Sequence, residues 1–372
     1  MKALPHWLAT AALLSLSVSI QSQAQTRGLS ITLSSDAQTL SATQDVMVDV
    51  TMTNFSAEPI QVLRWYTPLQ SASTGLFRVT RNGEPVDYVG ALVKRGTPKA
   101  SDYVAIAAGS SITRSVKVSE LYDFSATGVY TVEYDVASMH TYRGALPVNA
   151  LSTNAAQRAG GQMQELTSNA IAMTVKGGKT AAVANLGVSE ATVAPSFAST
   201  VSTIGCSATR QSQIATALSS AETYASSSVA YLNAGTRGPR YTSWFGTVTN
   251  QRYATVTTHF RNISNAASTQ PLQFDCSTCP AGPNADAFAY VFSNQPYRVY
   301  LCNAFWAAPI TGTDSRAGTI VHELSHFTVL GGTSDFAYGQ TAARRLAQQQ
   351  PTRAVQNADS HEYFAENTPR QN

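Results

Sequence analysis

The chain has 372 residues, enough for two domains, with 13% charged residues and a formal net charge of +3. No basic run or arginine-rich stripe occurs in it, which argues against a nucleic-acid binder. Beyond the first two dozen residues no stretch is long and apolar enough to cross a bilayer as a helix, so no membrane partner is expected.

Residues 1–24 read as a secretory signal peptide: Lys2, a short apolar run from Leu8 to Ile20, then the small-x-small site Ser22-Gln23-Ala24. The mature protein is therefore expected to be soluble, secreted and extracellular. Its four cysteines, Cys206, Cys276, Cys279 and Cys302, all lie in the C-terminal half, and an even number in an exported chain predicts two disulfides. Cys276 and Cys279 form a C-x-x-C, but no second such pair completes a four-cysteine metal site, and the three possible pairings stay open.

Residues 25–175 predict strands. Short alternating runs recur at Leu29–Leu33, Val46–Met52, Gln61–Trp65, Leu76–Val79, Ile112–Val118 and Gly128–Tyr134, separated by turn residues such as Asn82-Gly83. A β-sandwich is the natural reading. The region holds no cysteine and a single histidine, His140, so its expected role is packing or masking. Residues 176–203 are rich in Gly, Ala, Ser and Thr and read as a linker. From residue 204 the periodicity becomes helical. Helices are expected over Gln211–Leu232 and Asn250–Asn265, the latter carrying His259 as a structural histidine. An aromatic loop is expected at Tyr241–Gly246, and Phe288–Phe292 and Tyr297–Leu301 read as strands able to pair. N-cap residues at Thr311–Ser315 open a further helix expected to stop near Gly331-Gly332. Two more helices follow, over Gln340–Gln349 and from Asn357 to Phe364.

The helix after Ser315 contains His322-Glu323-Leu324-Ser325-His326. Histidines four apart sit one above the other on one helix face. Two imidazoles placed so can grip one Zn²⁺, and the intervening glutamate can polarise a water on it. The bland alternative is a surface helix with two unrelated histidines. A catalytic zinc needs a third protein ligand. Asp335, Asp359, His361, Glu362 and Glu366 are candidates downstream; elementary chemistry leaves Asp335 and Glu362 close, the former delivered by the turn after the glycine pair, the latter by a later helix.

The stretch Gly332-Thr333-Ser334-Asp335-Phe336-Ala337-Tyr338-Gly339 resembles the Gly-Thr-x-Asp-x-x-Tyr-Gly motif of the aspzincin metalloendopeptidases, which include deuterolysin and the peptidyl-Lys enzymes. The likeness extends from about Cys206 to the C-terminus, through Arg240–Gly246, Tyr300–Trp306, Gly312–Ser315, Asn357–Asp359 and His361–Phe364. The resemblance implies one Zn²⁺ per chain held by His322, His326 and Asp335. It makes Glu323 the general base and Tyr338 the oxyanion donor, and it pairs Cys206 with Cys276 and Cys279 with Cys302. It also implies that Asp359 and Glu362, three apart on one helix face, line a pocket for lysine on the leaving-group side, where a carboxylate suits the compact ammonium. The fold class expected is α+β: an N-terminal β-sandwich-like prodomain, and a mainly helical, zincin-like catalytic domain with a small β-sheet over residues 204–372.

One further pattern needs no resemblance. The six lysines are Lys2, Lys94, Lys99, Lys117, Lys176 and Lys179, and none follows Lys179, although arginine continues to the C-terminus. A protease cutting before lysine would spare its own catalytic domain, cut the linker at Lys176 or Lys179, and then degrade the freed β-domain. The expected partners are thus lysine-containing protein or peptide substrates and the chain's own propeptide domain. Masking is expected by covering the cleft, or by another ligand such as His140. Two alternatives are a deuterolysin-like protease of broader specificity and a non-enzymatic exported binding module with structural zinc.

Overall fold

The computed structural model describes residues 28–41, 44–69, 75–144, 162–176, 201–279 and 284–372. The expected signal peptide and almost all of the expected linker, including Lys179, lie outside these residues.

The N-terminal half contributes strands β1 (Leu29–Ser34), β2 (Thr39–Ser41), β3 (Met47–Asn54), β4 (Ile60–Leu63), β5 (Phe77–Arg81), β6 (Glu84–Pro85), β7 (Ala91–Lys94), β8 (Tyr103–Ile106), β9 (Ser111–Lys117), β10 (Gly128–Arg143), β11 (Gln162–Thr167) and β12 (Ile171–Lys176). Residues alternate between buried and less buried along β3, as period-2 patterning requires. One sheet has the order β1-β3-β9; a second has the order β2-β12-β10-β4-β8, with β5 and β11 also paired to β10 and β6 paired to β5. Their apolar faces, including Val48, Val50, Val62, Tyr130 and Val132, close on one core. The run expected as a strand over Gln61–Trp65 leaves the sheet after Leu63 as a 3₁₀ turn, Arg64–Tyr66, which turns Trp65 and Tyr66 inward.

The C-terminal half is mainly helical: α1 (Ala208–Asn233), α2 (Pro239–Phe245), α3 (Asn250–Thr269), α4 (Asn303–Ala307), α5 (Arg316–His326), α6 (Gln340–Gln349), α7 (Pro351–Ala354) and α8 (Ala358–Glu366). Side-chain caps start three of them: the oxygens of Ser207, Thr249 and Ser315 accept from Arg210 N, Arg252 N and Gly318 N. The expected aromatic loop is instead the helix α2. Pro239 opens it at the first turn, and it buries Tyr241, Trp244 and Phe245. Strands β13 (Ser202–Ile204), β14 (Gln273–Asp275), β15 (Ala289–Phe292) and β16 (Arg298–Leu301) form a sheet beside the helices. Disulfides Cys206–Cys276 and Cys279–Cys302 tie this sheet to its flanking segments.

The two halves trade elements. Strand β7, from within the expected prodomain, is the outermost strand of the C-terminal sheet, whose order is β13-β14-β16-β15-β7. Its Leu92 belongs to the core of the helical half, while Tyr338 belongs to the core of the strand-rich half. Arg353 adds an ion pair between the halves, its Nη2 lying 2.8 Å from Asp135 Oδ1.

Candidate metal centre and cleft

Helix α5 is buried along its whole length, from Arg316 to His326. Gly318 leaves room there for Glu366: a Cβ would stand 2.1 Å from Glu366 Oε1. Glu366 Oε1 in turn accepts from the backbone N and the hydroxyl of Ser315, each at 2.8 Å, and so anchors the start of the helix. The helix stops at His326, earlier than the glycine pair suggests. The Phe327 carbonyl accepts from Leu330, Gly331 and Gly332 N–H in succession, and this tight turn brings the chain back across the second histidine. The Thr333 carbonyl then accepts from His326 Nδ1 at 2.9 Å. A carbonyl can only accept, so the proton is on Nδ1, and Nε2 carries a lone pair that faces the cleft.

The segment after the turn is pinned to the last helix. Ser334 bridges to Asn357, and the Asn357 side chain accepts from Ala337 N at 3.0 Å. This places Asp335 opposite the two histidines. Its Oδ1 lies 3.2 Å from His322 Nε2 and 3.5 Å from His326 Nε2. All three atoms are buried and none has a hydrogen-bond partner, nor does either oxygen of Glu323. Two imidazole nitrogens and one carboxylate oxygen converging in this way are the donor set of a zinc site with three protein ligands. The residues present fit that metal.

Burial pushes the Glu323 carboxyl up to about 8. Burial also pushes His326 down to about 4, which keeps its ring neutral as a metal ligand must be. His322 goes the other way. Burial lowers it, but the carboxylates of Asp335, Asp359 and Glu362, 3.0–3.2 Å from its two ring nitrogens, outweigh that and hold it well above the usual value. Three carboxylates around one ring are an excess of buried negative charge, which a divalent cation at Nε2 would balance.

The other residues singled out in the sequence fall as follows. Asp359 Oδ1 sits 3.0 Å from His322 Nδ1, and its Oδ2 accepts from Gly339 N at 2.6 Å. It therefore contacts the histidine and the backbone next to Tyr338, and its influence on a lysine ammonium is through charge alone. Glu362 Oε2 lies 3.2 Å from His322 Nδ1 and 2.5 Å from Lys94 Nζ. The Tyr338 hydroxyl donates to the Val93 carbonyl at 2.9 Å. His361 is turned away: it donates from Nδ1 to the Asn357 carbonyl and accepts at Nε2 from His259 Nδ1 at 3.0 Å, the two rings stacked as a buried packing pair. His140 lies against Tyr103, outside the clusters able to hold a metal among the described residues.

Two residues were missed. Asp314 Oδ1 lies 3.5 Å from Lys94 Nζ and accepts from the Tyr363 hydroxyl at 2.7 Å. The Phe288 ring lies beneath the same ammonium, 4.9 Å from its centroid. Asp314 read as one more polar residue ahead of a helix cap; its positive φ of 51° is a tertiary feature with no local signal.

A cavity of about 430 Å³ opens beside His326 and Asp335, between Phe77 and Tyr122 of the strand-rich half and Thr333–Phe336. No helix among the described residues is long and apolar enough to cross a membrane.

Comparisons with known proteins point the same way. Residues 230–366 match the aspzincin family, described as lysine-specific metallo-endopeptidase. The chain is 44% identical to an extracellular protease of Aeromonas hydrophila over 89% of this chain and 90% of that one. It is 37% identical to a peptidyl-Lys metalloendopeptidase of Grifola frondosa over 97% of this chain and 98% of that one. A peptidyl-Lys metalloendopeptidase of Pleurotus ostreatus is 50% identical over 45% of this chain and 96% of its own length. Among solved structures, a zinc peptidase from Grifola frondosa is 51% identical over 45% of this chain and 100% of its own, with a TM-score of 0.42.

Proposed function

Since the chain belongs to the aspzincin family of metallo-endopeptidases, we propose that it is a secreted zinc endopeptidase, made as a zymogen, that cuts peptide bonds on the N-terminal side of lysine. The observation that carries this reading is the convergence of His322 Nε2, His326 Nε2 and Asp335 Oδ1 beside a buried, unpartnered Glu323. One Zn²⁺ would be held by those three atoms.

Zinc held by His322, His326 and Asp335 would supply Lewis acidity, for polarising a peptide carbonyl and for making water a nucleophile near neutral pH. Glu323 is the base that takes the proton of the attacking water and returns it to the leaving amine. Tyr338 donates its hydroxyl to the carbonyl oxygen as negative charge develops on it, a contribution of roughly 10²–10³ in rate for one such donor. Asp359 holds His322 through Nδ1 and keeps Nε2 aimed inward. Glu362 recognises the lysine of the leaving group, consistent with its contact to the Lys94 ammonium. The strand-rich half is the propeptide domain; it covers the cleft with β7, not with a histidine or cysteine ligand.

The test is a cleavage map on a lysine-rich protein such as casein. Zinc-dependent cuts placed before lysine are expected, lost on chelation. Zinc-dependent cuts with no residue preference would point to a broader protease, and no cuts at all to a non-enzymatic role.

A further inference from the structure

Strand β7 does more than cover the cleft. It runs antiparallel to β15, with Lys94 opposite Ala289, Val93 opposite Tyr290, Leu92 opposite Val291 and Ala91 opposite Phe292. An extended chain added to a sheet edge gains affinity from main-chain bonds and specificity from alternating side chains. The alternation is visible: Leu92 enters the core of the helical half, while Val93 packs on Cys279 and Cys302. Around the Val93–Lys94 bond the contacts are those a substrate needs. The Val93 carbonyl accepts from Tyr338, the proposed oxyanion donor, at 2.9 Å, and the Val93 N–H donates to Asp335 Oδ2 at 3.1 Å. Lys94 is fully buried, its ammonium held by Glu362 and Asp314 over the Phe288 ring. Past the bond, the Lys94 carbonyl accepts from Phe288 N at 2.9 Å and Arg95 donates to Asn284 Oδ1 at 2.8 Å.

We propose that Ala91–Lys94 is the enzyme's own substrate segment, bound as its peptide substrates bind, and that the Val93–Lys94 bond is the first bond it cuts, within the same molecule. This rests on the endopeptidase reading above and sharpens it. In the step, water oxygen bonds to the Val93 carbonyl carbon, the bond from that carbon to the Lys94 nitrogen breaks, and the water proton passes through Glu323 to that nitrogen. The products are a Val93 carboxylate and a new amino terminus at Lys94. Until then the tethered strand excludes other substrates at an effective concentration on the order of millimolar. Afterwards its two pieces are no longer held as one strand, and the exposed Lys99 and Lys176 become targets for other copies. This order reverses the expectation that the linker lysines are cut first. It also assigns Asp314 and Phe288, beside Glu362, to reading the lysine.

Two measurements test it. In the full-length Glu323→Gln precursor loaded with zinc, brief acetylation followed by mass spectrometry should label Lys94 at least about tenfold more slowly than Lys99. Equal labelling would overturn the docking without any appeal to activity. Metal-stripped wild-type precursor, started by adding zinc over a wide range of protein concentrations, should first yield a fragment beginning at Lys94, at a rate independent of concentration. A first fragment beginning at any other lysine, or a rate rising with concentration, would overturn the self-cut. If casein and the linker are cut before lysine while Val93–Lys94 survives, this inference fails and the proposed function stands. If the zinc-loaded chain cuts nothing, both fall, and the labelling still decides whether β7 docks.

Discussion

The hydroxyl of Tyr338 donates to the carbonyl of Val93 across 245 residues of chain, while its ring packs edge-on to Trp65 and stacks on Tyr66. One side chain of the C-terminal half thus meets the N-terminal half at three residues. A buried phenol hydroxyl needs a partner. Here that partner is Val93; in the proposed reaction it would be the carbonyl of the bond being cut. The group proposed to stabilise the reaction also holds the strand proposed to mask the cleft.

Glu323→Gln should leave zinc binding and the fold intact yet lower turnover by about 10²–10⁴-fold, because an amide cannot take the proton of water. Tyr338→Phe, measured on the processed enzyme, should lower kcat more than it raises KM. Steady-state kinetics on one lysyl peptide checks both. Wild-type turnover by Glu323→Gln would remove that residue from the mechanism.

Chelation should abolish peptide hydrolysis and added zinc should restore it, while the far-ultraviolet circular dichroism changes little. The helical half keeps two disulfides and a contiguous apolar core without the metal. Its thermal midpoint should nevertheless fall, since His322 is surrounded by Asp335, Asp359 and Glu362 with no divalent cation to balance them. Activity that persists in chelator would rule out the metal centre.

Glu362 and Asp359 should separate in their effects. Glu362→Gln leaves a buried ammonium short of a charge partner, so lysyl substrates should lose ~2–5 kcal/mol relative to uncharged ones. Asp359→Asn weakens the orientation of His322, so zinc affinity should fall about 10–100-fold while the preference for lysine persists. Competition between lysyl and methionyl peptides, together with zinc titration, reads the two effects. Identical phenotypes would mean that the two carboxylates act as one unit.

Gly318→Ala tests the packing under the metal helix. In an exposed helix this change would stabilise by about 1 kcal/mol. Here the new Cβ would meet Glu366 Oε1 at 2.1 Å, and overpacking should cost about 1–3 kcal/mol, so the sign reverses. Displacing Glu366 also disturbs its bonds to Ser315 N and Oγ at the start of the helix. Thermal denaturation of the Glu323→Gln background, which cannot cut itself, measures it; an unchanged or raised midpoint would show that Glu366 moves aside freely.

The sequence alone determined the parts of this protein that depend on local periodicity. The i, i+4 spacing of His322 and His326 puts both rings on one face of any helix that forms there. Alternation announced β1, β3, β5, β9 and parts of β4 and β10, apolar spacing announced α1 and α3, and the absence of lysine after Lys179 was legible by inspection. The third ligand was close to ambiguous on chemistry alone, and a family motif was needed to favour Asp335. Only the tertiary structure brought Asp335 to the histidines and turned His361 away to His259. It alone moved a four-residue strand from one half into the sheet of the other, and set Asp314 beside Lys94. The reason is physical. Periods of 3.6 and 2 are written within a few residues of chain, whereas a contact such as Tyr338 to Val93 exists only after a long loop has closed. The four residues of the strand, Ala91-Leu92-Val93-Lys94, are too few to show an alternating pattern, so the strand has no identity until β15 offers it an edge.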